Sequence, residues 1–340
     1  MGQTTKQHYV PQFYLRNFTS MRKDRKSEPV LWIYDKDGGQ PRPQTPYNTM
    51  AEYGFYDFDN TTGDINAVDK GLQQLESAAA PILKRLETPG TELSHQDIAL
   101  LAFFLSTMYL RVPRTLKAIE EFREIAAFET LKYSIERPSF RQRVLEDAKR
   151  FNGRLGTDEE IVQLFHEADK HLRVVPDHQD SVAESVKFIT PIAELLYLRM
   201  SWTICRAPND SFFISSDMPL CVILPTGVNS AILGAGFGQK EVEITFPVSP
   251  RVLLLIDWKR RQRHMTVSEA FVREKNKHMA LIAERWVIGH VESRTIKALV
   301  QNCATTRDLP KLDRRIAGRL FASKLHERGS VSAPSRTRPE

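Results

Sequence analysis

Four polar side chains are the first candidates for chemistry in this sequence: His8, Arg111, Arg114 and Asp217. His8 sits at the edge of a dense aromatic run, Gln7-His8-Tyr9-Val10-Pro11-Gln12-Phe13-Tyr14-Leu15-Arg16-Asn17-Phe18. The aromatics bury a large apolar area and act as an anchor, so most of the run is structural. An imidazole held in such an ordered setting can titrate near neutrality and serve as an acid or a base. Arg111 and Arg114 flank Pro113 at the end of a very apolar stretch. Their planar forks suit a carboxylate or a phosphate. They equally suit a helix C-terminus, or an ion pair such as one with Glu76. Asp217 lies in Ser215-Ser216-Asp217-Met218-Pro219, at the end of a buried-looking strand. Strand ends often present functional groups. The same residues also make an Asx-turn closing a hairpin, with Asp217 capping backbone amides.

Other motifs point away from common classes. Gly234-Ala235-Gly236-Phe237-Gly238 lacks the GxGxxG frame and the lysine of a phosphate loop, and reads as a loop. His166, His171 and His178 do not share one helical face, and there is no HExxH. No GxSxG elbow or kinase signature is present. Cys205, Cys221 and Cys303 are far apart and unpaired in pattern, which reads as reduced thiols in a cytoplasmic protein.

The elements that must position these groups read as α+β. From Gln7 to Phe58 the chain looks irregular or β-like. Val30 to Tyr34 is one strand, and Tyr53 to Phe58 is a second that could pair with it. Val68, Leu72, Leu75, Ala79, Ile82 and Leu86 recur at helical spacing. Ser94 and Asp97 form a capping-box variant opening a helix to about Leu110, which Pro113 breaks or kinks. Further helices are expected up to Glu136 and at about 140–152, 158–173 and 181–200. Short strands follow at Trp202–Arg206, Phe212–Ser215, Leu220–Leu224, Val242–Phe246 and Val252–Ile256. Phe246 to Pro250 is a rigid strand-to-strand connection. A helix over Val267–Ile282 and a strand over Arg285–His290 come last. Strands, then helices, then strands imply a mixed, mostly antiparallel sheet from the N- and C-terminal segments, with a large central helical block. The expected organisation is a single α+β domain over 1–305, with the helical block at about 64–200 and the strand-rich part at about 201–291. A basic, partly disordered tail would occupy 306–340.

Of 340 residues, 41% are hydrophobic and 26% charged, which is ordinary for a globular chain. The net charge is +6, but Lys311 to Glu340 holds eight Lys/Arg against three Asp/Glu. The remaining body carries 40 against 39, so most of the basic excess lies in the tail. Such a tail can touch nucleic acid only weakly and in a salt-dependent way. No stretch approaches the roughly 20 apolar residues of a membrane helix. The first residues lack the apolar core of a signal peptide and the Ser or Thr of a myristoylation site.

The chain resembles the domain-of-unknown-function family DUF4238. The resemblance is most specific over His8 to Phe18. It continues through Glu52, Phe55-Tyr56, Arg111 with Pro113-Arg114, Trp202, Ser216-Asp217 with Pro219, Phe246-Pro247 with Ser249-Pro250, Asn276 and Arg285. It spans roughly Gln7 to His290. Met218 stands where the family usually has Asn. The resemblance brings no established activity, but it implies that His8, Arg111, Arg114 and Asp217 belong to one recurring set. Polar groups recurring so far apart suggest one pocket. On that basis the leading expectation is a hydrolase acting on a phosphate-containing substrate, such as a nuclease. His8 and Asp217 would be catalytic, and Arg111, Arg114 and Tyr9 would bind substrate. Asp217 with Glu52 would hold Mg²⁺ or Mn²⁺, since oxygen ligands dominate. Two alternatives stand beside it. One is a non-enzymatic binding or sensing module for an anionic ligand. In the other, His8 bonds Asp217 and merely ties the N-terminal segment to the sheet.

Overall fold

The structure, a computed structural model, describes residues 6–21, 28–55, 67–150, 158–167, 178–224, 236–259 and 262–304. Backbone contacts divide the chain into two compact units. The first takes in 1–117 and 178–309; the second takes in 118–177 and 310–340. All the candidate site residues belong to the first unit.

The architecture is α+β, with mostly antiparallel sheets and a helical block. β1 (Lys6–His8) leads into the short helix α1 (Gln12–Arg16). β2 (Leu31–Asp35), β3 (Arg42–Gln44) and β4 (Ala51–Tyr53) follow. The helical block comprises α2 (Ala67–Arg85), α3 (His95–Leu110), α4 (Pro113–Ile135), α5 (Pro138–Arg150), α6 (Asp158–His166) and α7 (His178–Arg199). The strand-rich part contains β5 (Ser201–Arg206), β6 (Ser215–Ser216), β7 (Cys221–Ile223), β8 (Glu243–Pro247), β9 (Val252–Asp257) and β10 (His264–Thr266). It closes with α8 (Glu269–Ile282), β11 (Trp286–Gly289) and α9 (Arg294–Ala304).

Three sheets result. One has the order β10-β5-β9-β8-β7, another β3-β2-β11-β6, and β1-β4 form a ribbon. Only the β10–β5 pair is parallel among the described strands. β9 is the centre of the five-stranded sheet, and all six of its residues are buried. That explains its near-continuous apolar sequence, since a strand covered on both faces need not alternate. The helix boundaries follow local chemistry. Ser94 accepts the Asp97 N–H while Asp97 accepts the Ser94 N–H, a full capping box that opens α3. Pro113 and Pro138 each stand first in a new helix, where a missing N–H costs nothing.

Several expectations are corrected. The motif region is not wholly irregular, because Gln12–Arg16 forms α1 after the extended Pro11. β4 pairs with β1 rather than with β2, which lies between β3 and β11. Tyr56 to Phe58 fall outside the described residues, as do His171, Gly234, Ala235 and the 306–340 tail. Of the strand expected over Phe212–Ser215 only Ser215 lies in a strand, β6, which pairs with β11. The reason is a side chain: Asn276 donates to the Phe212 carbonyl (2.8 Å) and accepts from the Ile214 N–H (3.0 Å). It thereby replaces the ladder that a strand partner would have supplied. β10 and α9 were not anticipated. No helix among the described residues is long and apolar enough to cross a membrane.

Candidate functional site

The aromatic run is an anchor. Tyr14 and Phe18 are fully buried, with ring centroids 5.4 Å apart, and Tyr14 lies 5.0 Å from the Phe246 ring. The Tyr14 hydroxyl shares a 2.6 Å hydrogen bond with Ser215 Oγ and donates to the Pro247 carbonyl at 2.8 Å. Asn17 donates to the Val248 carbonyl at 3.0 Å. Burial in this apolar setting raises the Tyr14 phenol far above its ordinary range, so it acts only as a neutral tie. Tyr9 is buried against Phe55, with centroids 5.8 Å apart, and its N–H donates to the Met50 carbonyl.

His8, one residue before Tyr9, faces a cleft instead. Its Nε2–H donates to the Tyr47 carbonyl at 3.1 Å. A carbonyl only accepts, so this bond sets the tautomer and leaves Nδ1 with a lone pair. Gln12 Nε2 approaches that lone pair at 3.5 Å. Desolvation lowers the His8 pKa below 6.5, and the positive charges of Lys6 and Arg111 add to this against the pull of the Tyr47 and Pro46 carbonyls. The imidazole is therefore neutral at pH 7.

The cleft has a volume of about 440 Å³ and lies between β1–α1 and α2. Lys6, Gln7, His8 and Gln12 form one wall; Asp69, Gln73, Glu76 and Ser77 form the other. The second wall is a single stripe of α2, since positions 69, 73, 76, 77 and 80 recur at three- and four-residue spacing. The opposite stripe, with Leu72, Leu75, Ala79 and Ile82, packs into the core. Lys6, Gln12, Asp69, Gln73 and Ser77 were missed from sequence. A signal was available for Asp69, Gln73 and Ser77, which are the polar complement of the apolar stripe already read from α2; Lys6 and Gln12 carried none.

Arg111 stands behind this wall and is buried. Its Nε donates to the Tyr9 carbonyl at 2.9 Å, and its Nη1 pairs with Glu76 Oε1 at 2.7 Å. The Glu76 pairing is the one considered from sequence. Arg111 thus ties the segment carrying His8 to α2, and neutralises from behind a carboxylate that faces the cleft.

Arg114 and Asp217 come together elsewhere, around the connection from α8 to β11. Both Asp217 oxygens are engaged: Oδ1 accepts the Glu284 N–H (2.9 Å), and Oδ2 accepts those of Arg285 and Trp286 (both 2.8 Å). Arg114 donates to the Ile282 carbonyl, and Lys36 donates to the Leu281 and Ala283 carbonyls at the same helix end. Cations on the last carbonyls of a helix also complement its dipole. Burial pushes the Asp217 carboxyl up to about 6, although the three N–H donors pull it down. Arg114 is lowered by desolvation, offset in part by Glu284 and Asp217. No hydrogen bond joins His8 to Asp217 among the described residues.

Two other residues that carry the resemblance, Arg285 and Asn276, are also ties. Arg285 pairs with Asp35 at 3.0 Å, and Asn276 holds the 212–214 segment. Glu52 is exposed on β4, opposite Gln7. A divalent cation finds no fitting donor set here. Asp217 is buried and saturated by amides, and among the described residues no group of three or more His, Cys, Asp or Glu is arranged to hold a metal.

The fold and site define an α+β protein whose N-terminal aromatic segment is docked on a sheet and bordered by a polar cleft. The chain belongs to the DUF4238 family, described as proteins of unknown function, whose model matches residues 6–293. No curated protein and no solved structure matches the chain.

Proposed function

We propose that this chain binds a small polar molecule in the His8 cleft. One observation carries the reading. An imidazole, an ammonium, two carboxylates and the carboxamides of Gln12 and Gln73 border a single space of about 440 Å³, within the size range of ligand sites. Arg111, Arg114 and Asp217, by contrast, are engaged with backbone groups or with Glu76. Arg111 braces the cleft from behind, and Arg114 and Asp217 hold the α8–β11 connection away from it. The test is a thermal-shift screen of metabolite-sized compounds on the wild type and on Ser77→Trp, which fills the cleft from an exposed position on α2. Ligands that stabilise the wild type and not the variant support the reading. Equal stabilisation of both, or no ligand at all, overturns it.

A second reading, hydrolysis within the same cleft, is favoured by the state of His8. A neutral imidazole anchored through Nε2–H keeps a basic Nδ1, met at 3.5 Å by Gln12, which a water displacing that long contact would reach, the role of a general base. Ligands found in the screen are to be incubated with wild type and His8→Gln. Turnover lost in His8→Gln with binding retained marks a hydrolase; binding without turnover in either marks a binding module.

A further inference from the structure

The two walls of the cleft carry opposite charge. α2 contributes Asp69 and Glu76, seven residues and so about 10 Å apart along the helix. Gln73 donates to Asp69 Oδ2 at 2.8 Å, and Arg111 pairs with Glu76 Oε1 at 2.7 Å. Each carboxylate therefore has one protein donor on one oxygen and further acceptor capacity, because a carboxylate offers about four lone-pair sites. β1 contributes Lys6, whose ammonium donates to Asn48 Oδ1 at 2.9 Å and lies 4.4 Å from the centre of the Tyr47 ring. That bond uses one of its three donors. His8 beside it is neutral and adds no charge. The formal charges cancel: Lys6 and Arg111 against Asp69 and Glu76. A ligand carrying a net charge would leave one wall uncompensated, which is costly in a partly desolvated space. A ligand with a positive group and a separate negative group satisfies both walls.

We propose that the ligand is a dipolar amine–carboxylate, an amino acid or short peptide with free termini, its ammonium on the α2 wall and its carboxylate beside Lys6. This rests on the cleft being the binding site. Ammonium groups carry three donors and no acceptor, which matches the Asp69 carboxylate and the carboxamide oxygen of Gln73 beside it. The peptide unit between the termini matches the carboxamide of Gln12, which can both donate and accept.

The test is calorimetric titration of the full chain with triglycine, with its N-acetyl form and with its C-terminal amide. Triglycine is expected to bind, and each capped form to bind at least about tenfold more weakly. Asp69→Asn should remove the preference for a free amine, and Lys6→Met the preference for a free carboxylate. Both positions are partly exposed, and unchanged melting temperatures confirm that the variants fold. Equal binding of capped and free peptide, or no binding of any form at millimolar concentration, overturns the inference. In that event, compounds whose binding is abolished by Ser77→Trp would leave the cleft standing as a site for another chemistry. Their absence would remove both readings.

Discussion

At the scale of single residues, burial has set protonation. His8, His278 and His290 all have pKa values lowered, chiefly by desolvation. The unfolded chain binds protons to these rings more readily than the folded one does. Their contribution to stability is therefore complete above 6.5 and is lost as pH falls through the lowered folded values. The melting temperature should drop on acidification below 6.5, and His8→Gln should flatten part of that drop. A variant with an unchanged pH profile would contradict the account of His8. Asp217 has the opposite shift, up to about 6. Its carboxyl carbon, followed by NMR, should titrate near 6 instead of 3.8. Asp217→Ala strands three backbone N–H groups and should cost about 3 kcal/mol in urea unfolding, against roughly 1.5 kcal/mol for Asp217→Asn.

At the scale of elements, charged side chains close the connections. Arg206 donates to the carbonyls of Leu86, Glu87 and Thr88 at the end of α2. Arg251 gathers those of Ala207, Pro208, Asn209 and Ser211. Arg111 does the same for the joint between β1 and α1. Arg111→Met should destabilise the fold by about 2–4 kcal/mol, because Glu76 loses its partner and the Tyr9 carbonyl loses a donor. Hydrogen exchange over residues 8–16 should accelerate, and adding Glu76→Gln should restore part of the loss. Ser94→Ala should cost about 1 kcal/mol through the capping box, leaving the cleft unchanged.

The same scale explains what could be read from sequence. Helix limits at Ser94 and Pro113 were legible because capping and proline chemistry are local. The strands β5, β8 and β9 were legible from apolar runs. Pairing was not: the partner of β4 and the short β6 are decided by contacts with residues far along the chain, such as Asn276. For the site, residue types were legible but destinations were not. Nothing adjacent to Asp217 reveals that amides 67 to 69 positions away will surround it.

At the scale of the molecule, the basic side chains that tie the framework together show why net charge alone is a poor guide to partners. Arginines 111, 114, 206 and 251 all serve the fold. Stability is also unevenly distributed. The amides of β9, with every residue buried, should exchange only through global unfolding, whereas α5, exposed along much of its length, should exchange by local opening. Mass-spectrometric exchange that protects α5 as strongly as β9 would contradict this.

The docked aromatic segment has a consequence for biosynthesis. Tyr14 waits for Ser215, 201 residues later, and Asn17 waits for Val248, 231 residues later. At ordinary translation speeds the segment spends roughly 10–50 s outside the ribosome before its partners emerge. During that interval Tyr14, with Phe18 packed against it, is an unsheltered sticky patch, open to capture by holding chaperones or by a neighbouring nascent chain. The segment that closes the fold is thus among the last to settle and the longest exposed to misassembly.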